Sequence, residues 1–185
     1  MKRITDWVRE GLESHLRPGD WALDATLGQG HDTKILLEAV TATGRVFGFD
    51  VQAQAVDAVR QLFSMHGQFE AFLQNHAEMS HYLPATAKAR LRAAVFNLGY
   101  LPGSDHRVTT QTASTLAALA CSLEWLAPDG VLSCTCYPGT TQGALETSAV
   151  LQWAEGLPSS SVRQTRIESV GTRERGPLVL WLEKR

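Results

Sequence analysis

A chain of 185 residues with 44% hydrophobic and 19% charged side chains has the size and balance of one globular domain spanning 1–185, which argues against a disordered chain. Its formal net charge of −2 excludes a strongly basic coat protein for nucleic acid, while an enzyme that docks one RNA locally stays possible. The three cysteines (Cys121, Cys134 and Cys136) form no CxxC pair, and no apolar run reaches the roughly 20 residues of a membrane span, so the reading is a reduced, cytoplasmic protein with no metal site and no membrane partner.

Along the chain, apolar runs alternate with amphipathic stretches, the pattern of βαβ units around a parallel sheet. Residues 4–15 read as a helix, and Arg17-Pro18-Gly19-Asp20 as a turn. Trp21 to Ala25 is the first strand, followed by a glycine loop and a helix from about His31 to Val40. Arg45 to Phe49 is the second strand, and 53–64 is a helix with Ala55, Val56, Val59 and Leu62 on one face. Phe69 to Leu73 and Ala93 to Phe96 are strands three and four. A helix over 110–126 ends before the turn Pro128-Asp129-Gly130, and Val131 to Cys136 is strand five, which holds Cys134 and Cys136. A helix near 141–154 and strands near 162–168 and 178–183 complete seven strands of the doubly wound class, whose ligands sit at the carboxyl ends of the strands.

The first chemical motif is Asp24-Ala25-Thr26-Leu27-Gly28-Gln29-Gly30-His31-Asp32-Thr33, between the first strand and its helix. Glycine there permits close ligand approach and a positive φ. Asp50 closes strand two about 20 residues on, where a carboxylate accepts hydrogen bonds from a ribose hydroxyl pair, and Gln52 lies within reach of the same nucleoside. A dinucleotide fingerprint wants Gly or Ala where this chain has Thr33. The spacing Asp24-x-x-x-Gly28-x-Gly30 suits S-adenosylmethionine instead, which has no phosphate and whose α-amino group Asp24 or Asp32 could address. Asp32 could equally serve only the helix dipole. Asn75-His76, after strand three, stands where the adenine lies in this fold class.

The second motif, Asn97-Leu98-Gly99-Tyr100-Leu101-Pro102-Gly103, directly follows strand four. It is similar to the Asn-Pro-Pro-Tyr signature of amino-group methyltransferases, in which the Asn side chain and a nearby carbonyl accept hydrogen bonds from the target amine. Tyr100 offers a ring to a base or to the methyl donor, and Tyr137-Pro138-Gly139 borders the substrate at the end of strand five. Thr109, Thr110 and Thr115 stand at a helix start, where capping accounts for the first two. Basic clusters that could face RNA are Lys2, Arg3 and Arg9; Lys88, Arg90 and Arg92; and Arg163, Arg166, Arg173 and Arg175.

Together these motifs, with Phe49-Asp50-x-Gln52 and the continuation through Asp105, resemble the small bacterial class I methyltransferases formerly labelled rRNA methylases, now the family acting on the tRNA wobble uridine. The likeness runs from about Leu16 to the last residues, and its most specific part is Asn97 to Gly103. It implies a Rossmann-like, mostly parallel seven-stranded sheet with helices on both faces. It implies S-adenosylmethionine as cofactor, tRNA (anticodon stem-loop) as partner, and conversion of 5-aminomethyl-2-thiouridine to 5-methylaminomethyl-2-thiouridine by a monomer or homodimer. It implies cofactor contacts at Thr26, Gly28, Gly30, His31, Asp32, Thr33, Asp50, Gln52, Asn75 and His76. The reaction centre is implied at Asn97, Leu98, Tyr100 and Pro102, with Gly103, Asp105 and Tyr137 beside the substrate. Two departures stand out: Ser104 replaces a usual Gly, and the segment after strand five lacks the histidines often found there. The alternatives are the same chemistry on rRNA or a small amine, a nicotinamide-dependent oxidoreductase, and a non-catalytic adenosylmethionine-binding regulator.

Overall fold

The computed structural model describes residues 3–99, 110–168 and 176–185. In chain order it contains α1 (Ile4–His15), β1 (Trp21–Asp24), α2 (His31–Val40), β2 (Arg45–Asp50), α3 (Ala53–Leu62), β3 (Phe69–Leu73) and α4 (Met79–Tyr82). β4 (Leu91–Asn97), α5 (Thr112–Trp125), β5 (Leu126–Cys136), α6 (Thr141–Glu155), β6 (Val162–Glu168) and β7 (Leu178–Lys184) follow. The strands form one sheet in the order β3-β2-β1-β4-β5-β7-β6. β1 to β5 run parallel, and β7 is antiparallel to both β5 and β6.

Alternation along each strand sends side chains to two cores. Leu23 and Phe96 pack with Met79 of α4, Leu119 of α5 and Val150 of α6. Ala22 and Val95 pack on the opposite face with Leu12 of α1, Leu36 of α2 and Val59 of α3. A parallel strand covered on both faces must be apolar throughout, which is why Ala93 to Phe96 reads as a continuous run. The chain order reverses between β1 and β4, so the carboxyl ends of these strands open a crevice at the switch point.

Two stretches differ from the sequence reading. Between β3 and β4 lie a 3₁₀ turn at His76–Glu78, α4, and a second 3₁₀ turn at Ala85–Ala87. Each is about one turn long, too short to display a helical period, yet Met79 and Leu83 are buried and close the sheet. β5 begins at Leu126, not Val131. The Pro128-Asp129-Gly130 turn is a bulge inside the strand, with register passing from Leu91↔Leu126 to Ala93↔Val131 and Asp129 at φ 58°. The Arg92 guanidinium holds the bulge by donating to the Pro128 carbonyl at 2.6 Å.

Gly48, in the middle of β2, has a role that its sequence context hides. A Cβ at this position would lie 2.3 Å from Cδ2 of Leu27, so the glycine loop seats its buried leucine on bare backbone. Gly48→Ala is expected to destabilise the protein by about 1–3 kcal/mol, measured by urea denaturation. Adding Leu27→Ala should recover part of that loss, because the two residues are in contact. An unchanged urea midpoint for Gly48→Ala would show that the loop repacks freely.

Candidate active site at the switch point of the sheet

β1 releases the chain into a loop that must turn sharply before α2. Gly28 at φ 51° and Gly30 at φ 78° supply left-handed conformations that L side chains rarely adopt. Gly30 is also needed for packing: an added Cβ would meet Phe63 Cε2 at 3.1 Å and Val59 Cγ2 at 3.2 Å. Asp50, at the end of β2, fastens the loop. Its Oδ2 accepts the Gly28 N–H at 3.0 Å and its Oδ1 the Gln52 N–H at 2.9 Å. Each carboxylate oxygen retains a lone pair for a further donor.

A buried polar cluster lies beneath and beside this loop. Asp24 is fully buried, accepting the Thr33 hydroxyl at 2.6 Å and the Thr26 N–H at 3.2 Å. Thr26 in turn accepts the Asn97 backbone N–H at 2.8 Å, which ties the end of β4 to the end of β1. The Asn97 side-chain amide donates to Asp32 Oδ2 at 2.5 Å. Leu98 N–H donates to the Thr135 carbonyl at 2.9 Å, so the chain leaves β4 still bound to β5.

Charge is unbalanced here. Burial, then the charge of Asp32, pushes the Asp24 carboxyl up to about 7. Burial also raises Asp32, and the Asn97 amide opposes that shift. Burial and Asp32 raise the Tyr137 phenol, which places Asp32 near this ring. Among the described residues, no Lys or Arg forms an ion pair with Asp24, Asp32 or Asp50. Carboxylates buried without a cation favour a ligand that brings one. A nucleoside carrying an α-ammonium and a sulfonium fits both this charge deficit and the acceptors of Asp50.

The remaining sequence candidates fall in several places. His31 is exposed and shares a hydrogen bond with Gln29 at 3.2 Å. Asn75 caps the 3₁₀ turn by accepting the Ala77 N–H at 2.9 Å. His76 points inward: its Nδ1 meets the Ala25 carbonyl at 3.1 Å, its Nε2 is buried with no partner among the described residues, and burial lowers its pKa. Thr33 spends its hydroxyl on Asp24. Tyr137 is partly exposed just beyond β5. Tyr100, Pro102, Gly103 and Asp105 lie outside the described residues, as do Thr109, Lys2, Arg173 and Arg175.

The basic clusters that are described have partners. Lys88 meets Glu124 at 2.5 Å, Arg163 meets Glu183 at 3.3 Å, and Arg166 meets Glu168 at 2.7 Å. Arg90 lies over the Trp21 ring, 4.2 Å from its centroid. The 88–92 cluster precedes the body of β4, roughly 20 Å of strand away from Asn97.

Thr110 is not a cap, contrary to the sequence reading. The α5 N-cap is Gln111, and the Thr110 hydroxyl instead bridges the Gly99 N–H at 2.9 Å and Glu146 Oε2 at 2.5 Å. Glu146 went unread in the sequence. It is only 3% exposed, on α6, and its other oxygen accepts the Thr115 hydroxyl at 2.7 Å. The available signal was a carboxylate on the helical stripe shared with Val150 and Ala154, both buried.

A family model described as "Putative rRNA methylase" matches residues 46–183. The chain is 30% identical over 195 residues to the "tRNA (mnm(5)s(2)U34)-methyltransferase, chloroplastic" of Arabidopsis thaliana, covering all of this chain and 70% of that relative. A "putative rRNA-methylase" structure from Clostridium thermocellum superposes with a TM-score of 0.94 at 28% identity, over 100% of this chain and 99% of the other. A "putative methyltransferase" from Streptococcus mutans in complex with SAH has a TM-score of 0.88 at 30% identity, with the same coverage.

Proposed function

Because this chain belongs to the "Putative rRNA methylase" family and is an S-adenosylmethionine-dependent methyltransferase, we propose that its single domain methylates the amine of 5-aminomethyl-2-thiouridine at the tRNA wobble position. The product is 5-methylaminomethyl-2-thiouridine. The observation that carries this reading is the orientation of Asn97. Its Nδ2 is committed to Asp32, so its Oδ1 is the end left to accept a hydrogen bond from an amine. The Arabidopsis relative, named for a wobble-uridine methyltransferase, supports the choice of substrate.

When bound, S-adenosylmethionine would supply an electrophilic methyl group to the amine nitrogen, with adenosylhomocysteine as the leaving group and one proton released from the amine. Asp50 would hold the ribose hydroxyls, with Gly28, Gly30 and Thr26 shaping the floor beneath them. Asp32, with Asp24 behind it, would receive the α-ammonium. Gln52, Asn75 and His76 would complete the nucleoside end, while Thr33, bonded to Asp24, and His31, beside Asp32, would support the ammonium end. Asn97 Oδ1 and the Leu98 carbonyl would align the amine, and such positioning at about 3–3.5 Å is worth several kcal/mol of barrier. A free alkylamine is largely protonated at neutral pH, so the site must favour its neutral form; poor solvation does this.

In-vitro methylation of tRNA bearing 5-aminomethyl-2-thiouridine, read by nucleoside mass spectrometry, tests the proposal. Methylation of rRNA or of small amines, with that tRNA left untouched, would overturn it. Cofactor binding has its own test. Asp50→Ala is expected to weaken adenosylhomocysteine binding by about 2–3 kcal/mol in calorimetry, the loss of charge-assisted hydrogen bonds. Unchanged affinity would remove Asp50 from the pocket.

A further inference from the structure

The Leu98–Gly99 peptide is held from behind by a chain of polar groups that starts at a buried carboxylate on α6. Glu146 accepts the Thr110 hydroxyl at 2.5 Å and the Thr115 hydroxyl at 2.7 Å. The same Thr110 oxygen accepts the Gly99 N–H at 2.9 Å, and the Thr110 N–H donates back to the Gly99 carbonyl at 2.9 Å. Gly99 sits at φ +132°, a conformation that favours glycine, and an added Cβ would meet nothing within 4 Å among the described residues. Glycine is therefore needed here for backbone angle.

The consequence follows from the planarity of the peptide group. The Gly99 N–H and the Leu98 C=O belong to one trans peptide unit and point in opposite directions. Fixing the N–H on Thr110 therefore fixes the direction of the Leu98 carbonyl. Hydrogen bonds in series also polarise one another: a carboxylate draws on the Thr110 hydroxyl, whose oxygen then draws on the Gly99 N–H, which increases negative charge on the Leu98 oxygen. We infer that Glu146 is a positioning residue, acting through Thr110 and the Leu98–Gly99 peptide to aim and strengthen the carbonyl that receives the target amine. This rests on the reading above that the Leu98 carbonyl is an amine acceptor.

The chemistry explains the burial. Glu146 has no Lys or Arg partner among the described residues, and its carboxylate is satisfied by two threonine hydroxyls instead. A purely structural role would be served by an apolar side chain continuing the Val150 and Ala154 stripe. Thr115, wholly buried, fixes one carboxylate oxygen so that the other faces Thr110.

The test pairs amide exchange with single-turnover kinetics in the full chain. In Thr110→Val, exchange of the Gly99 amide should accelerate at least tenfold. Methyl transfer to tRNA bearing 5-aminomethyl-2-thiouridine should slow about 10- to 100-fold, with adenosylhomocysteine affinity and tRNA KM within about twofold of wild type. Thr110→Ser, which restores the hydroxyl, should recover both readouts. Glu146→Gln, which keeps the shape, should slow transfer about tenfold while the protein stays folded. Thr115→Val should slow it less. Retained Gly99 protection in Thr110→Val would overturn the linkage. Lost protection with an unchanged rate in Thr110→Val, or a wild-type rate in folded Glu146→Gln, would overturn the positioning role. A wild-type protein inactive on this tRNA would remove the substrate reading, and the exchange measurement would still decide whether the Glu146–Thr110 chain holds the peptide.

Discussion

On the proposed reaction, Asn97→Ala is expected to bind adenosylhomocysteine nearly as wild type does and to methylate tRNA on the order of 10²–10³-fold more slowly in single turnover, the loss of one aligning hydrogen bond worth about 2–4 kcal/mol in a desolvated site. The backbone should survive the change, because the Asn97 N–H is held by Thr26 and the Leu98 N–H by Thr135, neither of which involves the deleted side chain. Asp32 would lose its amide donor and sit further above its ordinary carboxyl range. Asn97→Asp is the sharper variant. It nearly preserves the side chain's shape but sets another carboxylate against Asp32, with Asp24 behind, and the added charge holds the amine protonated. It should therefore be slow as well, with a lower melting temperature than Asn97→Ala. Near wild-type turnover by a folded Asn97→Ala protein would take this side chain out of the mechanism.

The sheet was legible in the sequence because parallel strands buried on both faces leave unmistakable apolar runs, and because glycine and proline mark their ends. Ala93 to Phe96 and Trp21 to Leu23 are such cases. The segment between β3 and β4 was not legible, since a single turn carries no period. The Pro128-Asp129-Gly130 turn was seen, but strand pairing on both sides of a bulge depends on the partner strand and leaves no local mark. In the candidate site, strand ends and glycine loops mark Asp24, Asp50 and Asn97 as candidates. Their partners carry no such mark. That Thr33 serves Asp24, that Asp32 orients Asn97, and that Glu146 reaches back to Gly99 are contacts across 9, 65 and, through Thr110, 36 and 11 residues of sequence, made by the fold. Thr110 illustrates the limit: at a helix start a threonine suggests a cap, and only the tertiary structure turns its hydroxyl towards a carboxylate.

The pH dependence of the ligand-free protein should reveal the buried carboxylate pair directly. Asp24 titrates at about 7 in the folded chain, against 3.8 as its ordinary value, so between these limits the native state holds a proton that the unfolded state has released. Stability must then fall as pH rises from about 4 to about 7, and level off above that. At 1.36 kcal/mol per pH unit this is a loss of at most about 4 kcal/mol, with Asp32 adding in the same direction. Asp24→Asn should abolish most of the slope and make the ligand-free protein more stable than wild type at pH 8. The substitution is well tolerated geometrically: the amide oxygen can accept the Thr26 N–H, and the amide nitrogen can donate to the Thr33 oxygen. Ligand binding should respond in the opposite sense. An α-ammonium bound beside Asp32 and Asp24, as proposed, would stabilise both ionised forms, so wild-type affinity for adenosylhomocysteine should rise with pH up to about 7, and Asp24→Asn should lose both that rise and much of the affinity at pH 8. Urea denaturation and calorimetry across about pH 4 to 8 measure the two effects separately, spanning the window from the ordinary carboxyl value to the raised one. A ligand-free Asp24→Asn protein that is less stable than wild type at pH 8, or an adenosylhomocysteine affinity independent of pH in wild type, would show that this pair is not the counter-charge for the cofactor.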